Sequence, residues 1–382
     1  MENQMNTKEK NLRIVMFGHK RIPSREGGIE IVVEELATRM AELGQEVTCY
    51  NRGGHHVSGA QFDSASAENL KQVRLKTVWT LDKKGLAAVT ASISGAFRAA
   101  FSKADVVHIH AEGPAVMCWL PRLFGKRVIV TVHGLDWMRE KWKGGFGAKY
   151  IRWGEKMAVR WAHEIIVLSR NVQEYFEDVY GRKTVMIPNG VVRPEIREVE
   201  QITERFGLEK DSYILYLGRL VPEKGIHYLI DAYQKIKTNK KLVIAGGSSD
   251  SDDYGQKLRE MAERNENILF TGFIQGRLLE ELYSNAYVYV LPSDLEGMPL
   301  SLLEAMSYGN CCLTSDIPEC TEVMEDHGVS FYKGVPKNLA AKLQQLCDEP
   351  ETVQLYKKNA SSFICDKYNW DAVTEKTLEL YQ

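Results

Sequence analysis

With 382 residues the chain is long enough for two domains, and 44% hydrophobic with 26% charged residues leaves an ample core for each. A net charge of −2 supplies no whole-molecule attraction for nucleic acid, and no run of about eighteen apolar residues is present to span a membrane. The seven cysteines are scattered and lack a Cys-x-x-Cys pair, and the polar residues 1–10 lack the apolar run of a signal peptide, so reduced thiols in a cytoplasmic protein are expected.

In chain order, short apolar runs alternate with amphipathic stretches, the grammar of a parallel α/β fold. Residues 12–18 read as a buried strand. A loop over 19–28 follows, carrying Gly27-Gly28, where the backbone can approach a phosphate or sugar closely. The pattern is not Gly-x-Gly-x-x-Gly, which argues against a nicotinamide dinucleotide. Ile29, Val33, Leu36, Met40 and Leu43 share one helical face before Gly44 ends the helix.

Further strands are predicted over 46–50, 73–79, 105–110, 127–133, 164–169 and 185–188. His108 and His110 end one of them and read first as structural, with acceptor-side lining as the alternative. His133 ends the next, where it can donate to a sugar hydroxyl with an adaptable, near-neutral pKa. No histidine spacing suggests a metal site.

From 137 to 161 run seven Lys or Arg, including Arg139, Lys141 and Lys143, against two Glu, and four of the seven tryptophans. This stretch suits an anionic membrane surface or a pyrophosphate-bearing acceptor, and equally a core helix with Trp inward and Lys solvated. Glu155 and Arg160 read as helix-surface charges, and Ser169 as a cap for the helix after it. Asn189-Gly190-Val191-Val192-Arg193-Pro194 and a charged run to about Lys210 are the best linker, with a domain break near 190–205.

A second series of strands follows over 213–218, 241–245, 268–271, 287–291 and 311–315. The first leads into Gly218-Arg219-Leu220-Val221-Pro222-Glu223-Lys224-Gly225, placing two cations at the carboxyl end of a parallel strand. Arg219 can grip phosphate oxygens through a planar fork, and Lys224 acts as a point charge. Gly246-Gly247 ends the next strand. Glu296 and Glu304, eight positions apart, bracket the turn Gly297-Met298-Pro299-Leu300, which opens an apolar helix. Such a helix start offers unpaired amides and a partial positive charge. Glu296 falls on the loop and Glu304 about one turn in, although such pairs also occur on plain surface helices. Phosphates between two hydroxyl-rich ends fit this plan, and a nucleoside diphosphate sugar has that form. Residues 370–381 have helical spacing through Val373, Leu378 and Tyr381.

The Glu-Gly-x-Pro pattern with its second Glu, and the Gly-Arg-(x)4-Lys-Gly element, resemble the signature of retaining glycosyltransferases of the two-Rossmann-domain (GT-B) type, family GT4. The string over 22–30 with Val33-Glu34-Glu35-Leu36 is similar to a bacterial subgroup of rhamnosyl- or related polysaccharide transferases. The resemblance implies a Rossmann-like acceptor domain over 1–195, a Rossmann-like nucleotide-sugar domain over 196–365, and a helix over 366–382 crossing back to the first.

It further implies that Arg219 and Lys224 hold the diphosphate without a metal, that Glu304 binds ribose, and that Glu296 and His133 address the transferred sugar. Gly27 and Gly28 would face the diphosphate and acceptor, Met298, Pro299 and Leu300 the phosphates, and Gly246 and Thr271-Gly272-Phe273 the base. No cofactor is implied. A UDP-, GDP- or dTDP-sugar would give up a hexosyl or deoxyhexosyl group to a saccharide or lipid-linked acceptor, in cell-surface polysaccharide or glycolipid synthesis at the inner face of the membrane. An epimerase of the same fold and a non-catalytic nucleotide-sugar-binding partner are the rival expectations.

Overall fold

The computed structural model describes residues 11–25, 27–54, 70–83, 85–142, 145–247 and 253–382, with the backbone alone at Lys141. Residues 1–10, Glu26 and Lys143, which enter the readings above, lie outside the described residues.

The apolar runs become parallel strands because helices cover both faces of each sheet. The first sheet holds β1 (Arg13–Phe17), β2 (Glu46–Arg52), β3 (Arg74–Val78), β4 (Val106–His110), β5 (Arg127–Val132), β6 (Glu164–Val167) and β7 (Val185–Met186), in the order β3-β2-β1-β4-β5-β6-β7. The second holds β8 (Tyr213–Leu217), β9 (Lys241–Ala245), β10 (Ile268–Gly272), β11 (Val288–Leu291), β12 (Cys311–Ser315) and β13 (Val329–Phe331), in the order β10-β9-β8-β11-β12-β13. The short edge strand β13 is the one the sequence reading lacks. Val-Ser-Phe is three residues long and its serine is exposed, so neither period nor length marks it.

Strand order reverses between β1 and β4 in the first sheet and between β8 and β11 in the second. Ligands of open α/β sheets bind outside the carboxyl ends of the strands at such reversals. Those ends carry the glycine loop after β1, the Arg219 loop after β8 and the Glu296 loop after β11.

The two sheets are tied together at two adjacent points. Val191 pairs with Asn369 in an isolated parallel bridge, so the outgoing and returning chain segments run side by side. The helix Trp370–Glu379 then packs on the helix Gly28–Glu42 of the first lobe. Trp370 is buried in the same apolar cluster as Ile14, Val33 and Met40. Tyr381 Oη lies 2.6 Å from His108 Nδ1, and Arg127 Nε donates to Leu380 O. The last helix therefore belongs to the core of the first lobe.

Candidate active site between the two sheets

A cavity of about 240 Å³ opens between the strand ends of the two lobes. Gly27, Gly28 and His133 from the first lobe border it, with Arg219, Lys224, Gly246, Phe273, Glu296, Met298, Pro299, Leu300 and Glu304 from the second, whereas Thr271 and Gly272, expected at the base, do not.

On the second lobe, β8 delivers Arg219, and Tyr216 Oη donates to its carbonyl at 3.0 Å. The half-buried Arg219 guanidinium takes no ion pair among the described residues. Beside it, Gly246 adopts φ +147°, and a Cβ there would lie 1.8 Å from Gly218 O, so only glycine lets these strand ends approach.

Lys224 lies in the 3₁₀ turn Pro222–Lys224, ahead of the helix Ile226–Tyr233 rather than at its start. Its Nζ is 2.6 Å from Glu296 Oε1, which also accepts from Ser293 Oγ at 2.6 Å. The sequence reading sent these two residues to different parts of the ligand; in this structure they pair with each other.

The helix Leu300–Ser307 begins after Pro299, whose missing N–H costs nothing there. The amides of Leu302 and Leu303 return to Pro299 O, while those of Leu300 and Ser301 have no acceptor among the described residues and border the cavity. Leu300 and Glu304, four apart, share a face. Glu304 Oε2 accepts from Tyr283 Oη at 3.1 Å. Burial raises the Glu304 pKa, against the opposing field of Arg25 and the tyrosine hydrogen bond.

The lobes meet backbone to backbone beside these groups. A Cβ on Gly297 would fall 1.7 Å from His133 O, and one on Gly134, at φ +140°, would fall 2.9 Å from Gly297 Cα. This contact sets His133 next to Glu296 across the lobe boundary. A second contact joins Asn189 Nδ2 to Met298 O at 3.3 Å.

Several readings need correction. Burial pushes His133 down to about 4, so it stays neutral at physiological pH and is not poised near neutrality. His108, by contrast, keeps the structural reading given to it first, held by Tyr381 and by Thr131 Oγ1 at 2.6 Å, and burial lowers it to about 3. Ser169 sits at the helix start but its hydroxyl donates to Asn171 Oδ1 instead of capping an amide.

Glu155 is fully buried, not on the surface, and its Oε2 accepts from Tyr175 Oη and Tyr180 Oη at 3.1 and 2.6 Å. It lies beside Glu112, whose carboxyl is pushed well up by burial and by the neighbouring acids. The charge period of the helix Phe146–Trp161 gave no hint of this, because an acid on a basic helix looks solvated in one dimension. Of the four tryptophans between 137 and 161, Trp153 alone is mostly exposed, and the Arg152 guanidinium covers the Trp137 ring at 4.5 Å.

Two cavity cations were missed as site residues. Arg139, counted only within the basic stretch, borders the cavity, with its Nη2 2.8 Å from Asp136 Oδ1. Asp136, with Glu223 and Glu296, raises its pKa. Arg25 also borders the cavity. The Trp-Met-Arg turn after His133 was the available signal for Arg139, since it continues a strand end that already carried a site candidate.

Residues 198–380 match the family model of the glycosyl transferases group 1, and residues 26–193 match that of glycosyltransferase family 4. Between them these leave out residues 1–25, 194–197 and 381–382. An uncharacterised glycosyltransferase of Methanocaldococcus jannaschii is 25% identical over 97% of this chain and 98% of its own. Among solved structures, the sucrose-phosphate synthase of Thermosynechococcus elongatus superposes with a TM-score of 0.81 at 21% identity, covering 97% of this chain and 98% of that one. HepE of Anabaena, solved in complex with UDP and glucose, superposes with a TM-score of 0.79 at 16% identity, covering 96% and 98%.

Proposed function

The chain belongs to the nucleotide-sugar-dependent glycosyltransferases with two Rossmann-like domains, its first half of the family 4 kind and its second of the group 1 kind, and on that footing we propose how its cavity divides a donor. The observation that carries the proposal is an interlobe cavity bordered by two carboxylates, by an arginine with no ion pair among the described residues and by helix amides with no acceptor among them.

Arg219, with the amides of Leu300 and Ser301, takes the diphosphate, and Lys224 joins once it leaves Glu296. Glu304 takes the ribose hydroxyls, and the base lies toward Gly246 and Phe273. Glu296 and His133 hold the transferred hexosyl or deoxyhexosyl group, with Arg139 as a third cation on that side. The rhamnosyl assignment rests only on the loop string over 22–36.

Among the described residues, the carboxylates bordering the cavity are Glu296 and Glu304. Glu296 is tied to Lys224 and Ser293, which makes it a poor nucleophile and supports a front-face route with retention. In that route the bond from the anomeric carbon to the departing phosphate oxygen breaks, and the acceptor oxygen bonds on the same face. The acceptor's proton passes to the departing phosphate. Preorganised cations and amides stabilise the charge that develops there. Thermal unfolding with a panel of UDP-, GDP- and dTDP-sugars tests the donor class. One nucleotide series should raise the midpoint in wild type and fail to do so in E304A; no shift with any of them would sink the proposal.

For the acceptor we favour a lipid-linked saccharide reached from the membrane surface. Phe146 and Trp153 are exposed at 83% and 52% on the basic stretch. The neighbouring helices Ala87–Ala100 and Trp119–Leu123 add an exposed stack of Phe97, Phe101 and Phe124. Residues 83–104 and 113–135 contain no Asp or Glu but carry Arg98, Lys103, Arg122 and Lys126. An aromatic, cationic surface of this kind matches anionic headgroups. Co-sedimentation should be strong with phosphatidylglycerol vesicles and weak with phosphatidylcholine alone, and equal binding to both would count against it.

A further inference from the structure

His133 has a buried partner that the mechanism above does not use. His110 ends β4, and its Nδ1 lies 3.1 Å from His133 Nε2. His110 is fully buried, and its Nε2 has no hydrogen-bond partner among the described residues. The adjacent His108 ring, 4.2 Å away between centroids, offers none, because Tyr381 and Thr131 occupy both of its nitrogens. His133 borders the cavity with Nε2 so engaged, and its Nδ1 takes no partner among the described residues.

Both imidazoles are neutral near pH 7, because burial lowers each of them. A single proton therefore occupies the gap between them, and two arrangements exist. If His133 donated, His110 would carry its proton on Nε2, a buried N–H with no acceptor. If His110 donates, its Nε2 is a bare ring nitrogen. Orphaned buried N–H groups are rarer than under-satisfied acceptors, so the second arrangement is favoured.

We propose that His110 is a positioning residue that sets the tautomer of His133: by donating from Nδ1 to His133 Nε2 it confines the His133 proton to Nδ1 and makes the nitrogen left for the cavity a hydrogen-bond donor to a hydroxyl of the transferred sugar. The proposal rests on the reading of His133 as a sugar contact. It also predicts selection. A hydroxyl can accept from this N–H, whereas a sugar bearing an ammonium group there would set donor against donor.

The test is long-range proton–nitrogen correlation spectroscopy on the full chain labelled with ¹⁵N-histidine, with H133Q assigning the signal. The expected result is a His133 ring protonated on Nδ1 and bare on Nε2. A proton on Nε2, or an even mixture of tautomers, overturns the proposal. Transfer kinetics form the second arm. H110N, whose amide can still donate, should keep kcat/KM within about threefold, and H110F should lose about tenfold with nucleoside diphosphate affinity unchanged. H110F transferring as fast as wild type would overturn the proposal even if the spectrum agreed. If H133Q itself transfers normally, the sugar contact fails, and that outcome is separate from the tautomer read in the spectrum.

Discussion

At the scale of single residues, the Lys224–Glu296 pair decides how the site should respond to mutation. Side chains exposed by 14% and 8% make this ion pair largely desolvated, so removing one partner leaves the other costly in place. E296Q should reduce transfer by roughly a hundredfold or more, because a group facing the reacting sugar is lost. The same change frees Lys224, so nucleoside diphosphate affinity should hold or tighten, as calorimetry can determine. A parallel loss of affinity would place Glu296 on the phosphates instead. R219E has the opposite signature. It puts a carboxylate where the diphosphate is expected, and affinity for the bare nucleotide should fall by about a hundredfold or more. R219K should recover only part of this, since an ammonium cannot form the bidentate fork. An unchanged dissociation constant for R219E would remove Arg219 from the phosphate site.

At the scale of elements, a backbone-to-backbone interlobe approach runs through Gly134 and Gly297. A methyl group on Gly297 would overlap a backbone carbonyl, which cannot rotate away as a side-chain tip can. G297A should therefore displace the Glu296 loop from the end of β5. The expected outcome is transfer down by at least tenfold while nucleotide affinity, set by Arg219 and the helix Leu300–Ser307, changes little. Full activity in G297A would show that this approach is not needed in the reacting state. The last helix is the other element on which the lobes depend. Cutting the buried Trp370 to Ala should cost about 3–5 kcal/mol in chemical denaturation, as for other large core aromatics.

At the scale of the whole molecule, four histidines of the first lobe, three of them buried and His133 partly so at the cavity wall, couple its stability to pH. Burial lowers His19 to about 4, His108 to about 3 and His133 to about 4, and lowers His110 as well, all from an ordinary 6.5. The unfolded chain therefore binds protons first as pH falls, and folding is penalised. The histidine contribution should be level above pH 6.5 and should fall between about 6.5 and 4, each histidine adding up to about 1.4 kcal/mol per pH unit, while Glu112 and Glu304, raised by burial, oppose it by taking up protons in the folded state first. Denaturant midpoints of wild type and H108Q across that window isolate the part due to His108, and H108Q should remove about a quarter of the histidine contribution. Parallel profiles for the two proteins would mean that the His108 ring is hydrated in solution.

Much of this was legible in one dimension. Alternating apolar runs and helical faces specify parallel α/β lobes, since few other arrangements can bury them, and turn residues such as Gly297-Met298-Pro299 mark a helix start by local chemistry alone. Arg219 could be singled out because a polar residue just after a buried strand falls at the carboxyl edge of a sheet, and Glu296 because with Glu304 it brackets a turn that opens a helix. What only the tertiary structure decided were relations between residues distant in the chain. Lys224 meets Glu296 across 72 positions, His110 meets His133 from the neighbouring strand, Arg139 turns into the cavity, and Glu155 disappears into the core. Burial and pairing depend on what arrives from elsewhere in the chain, and a local pattern carries no record of it.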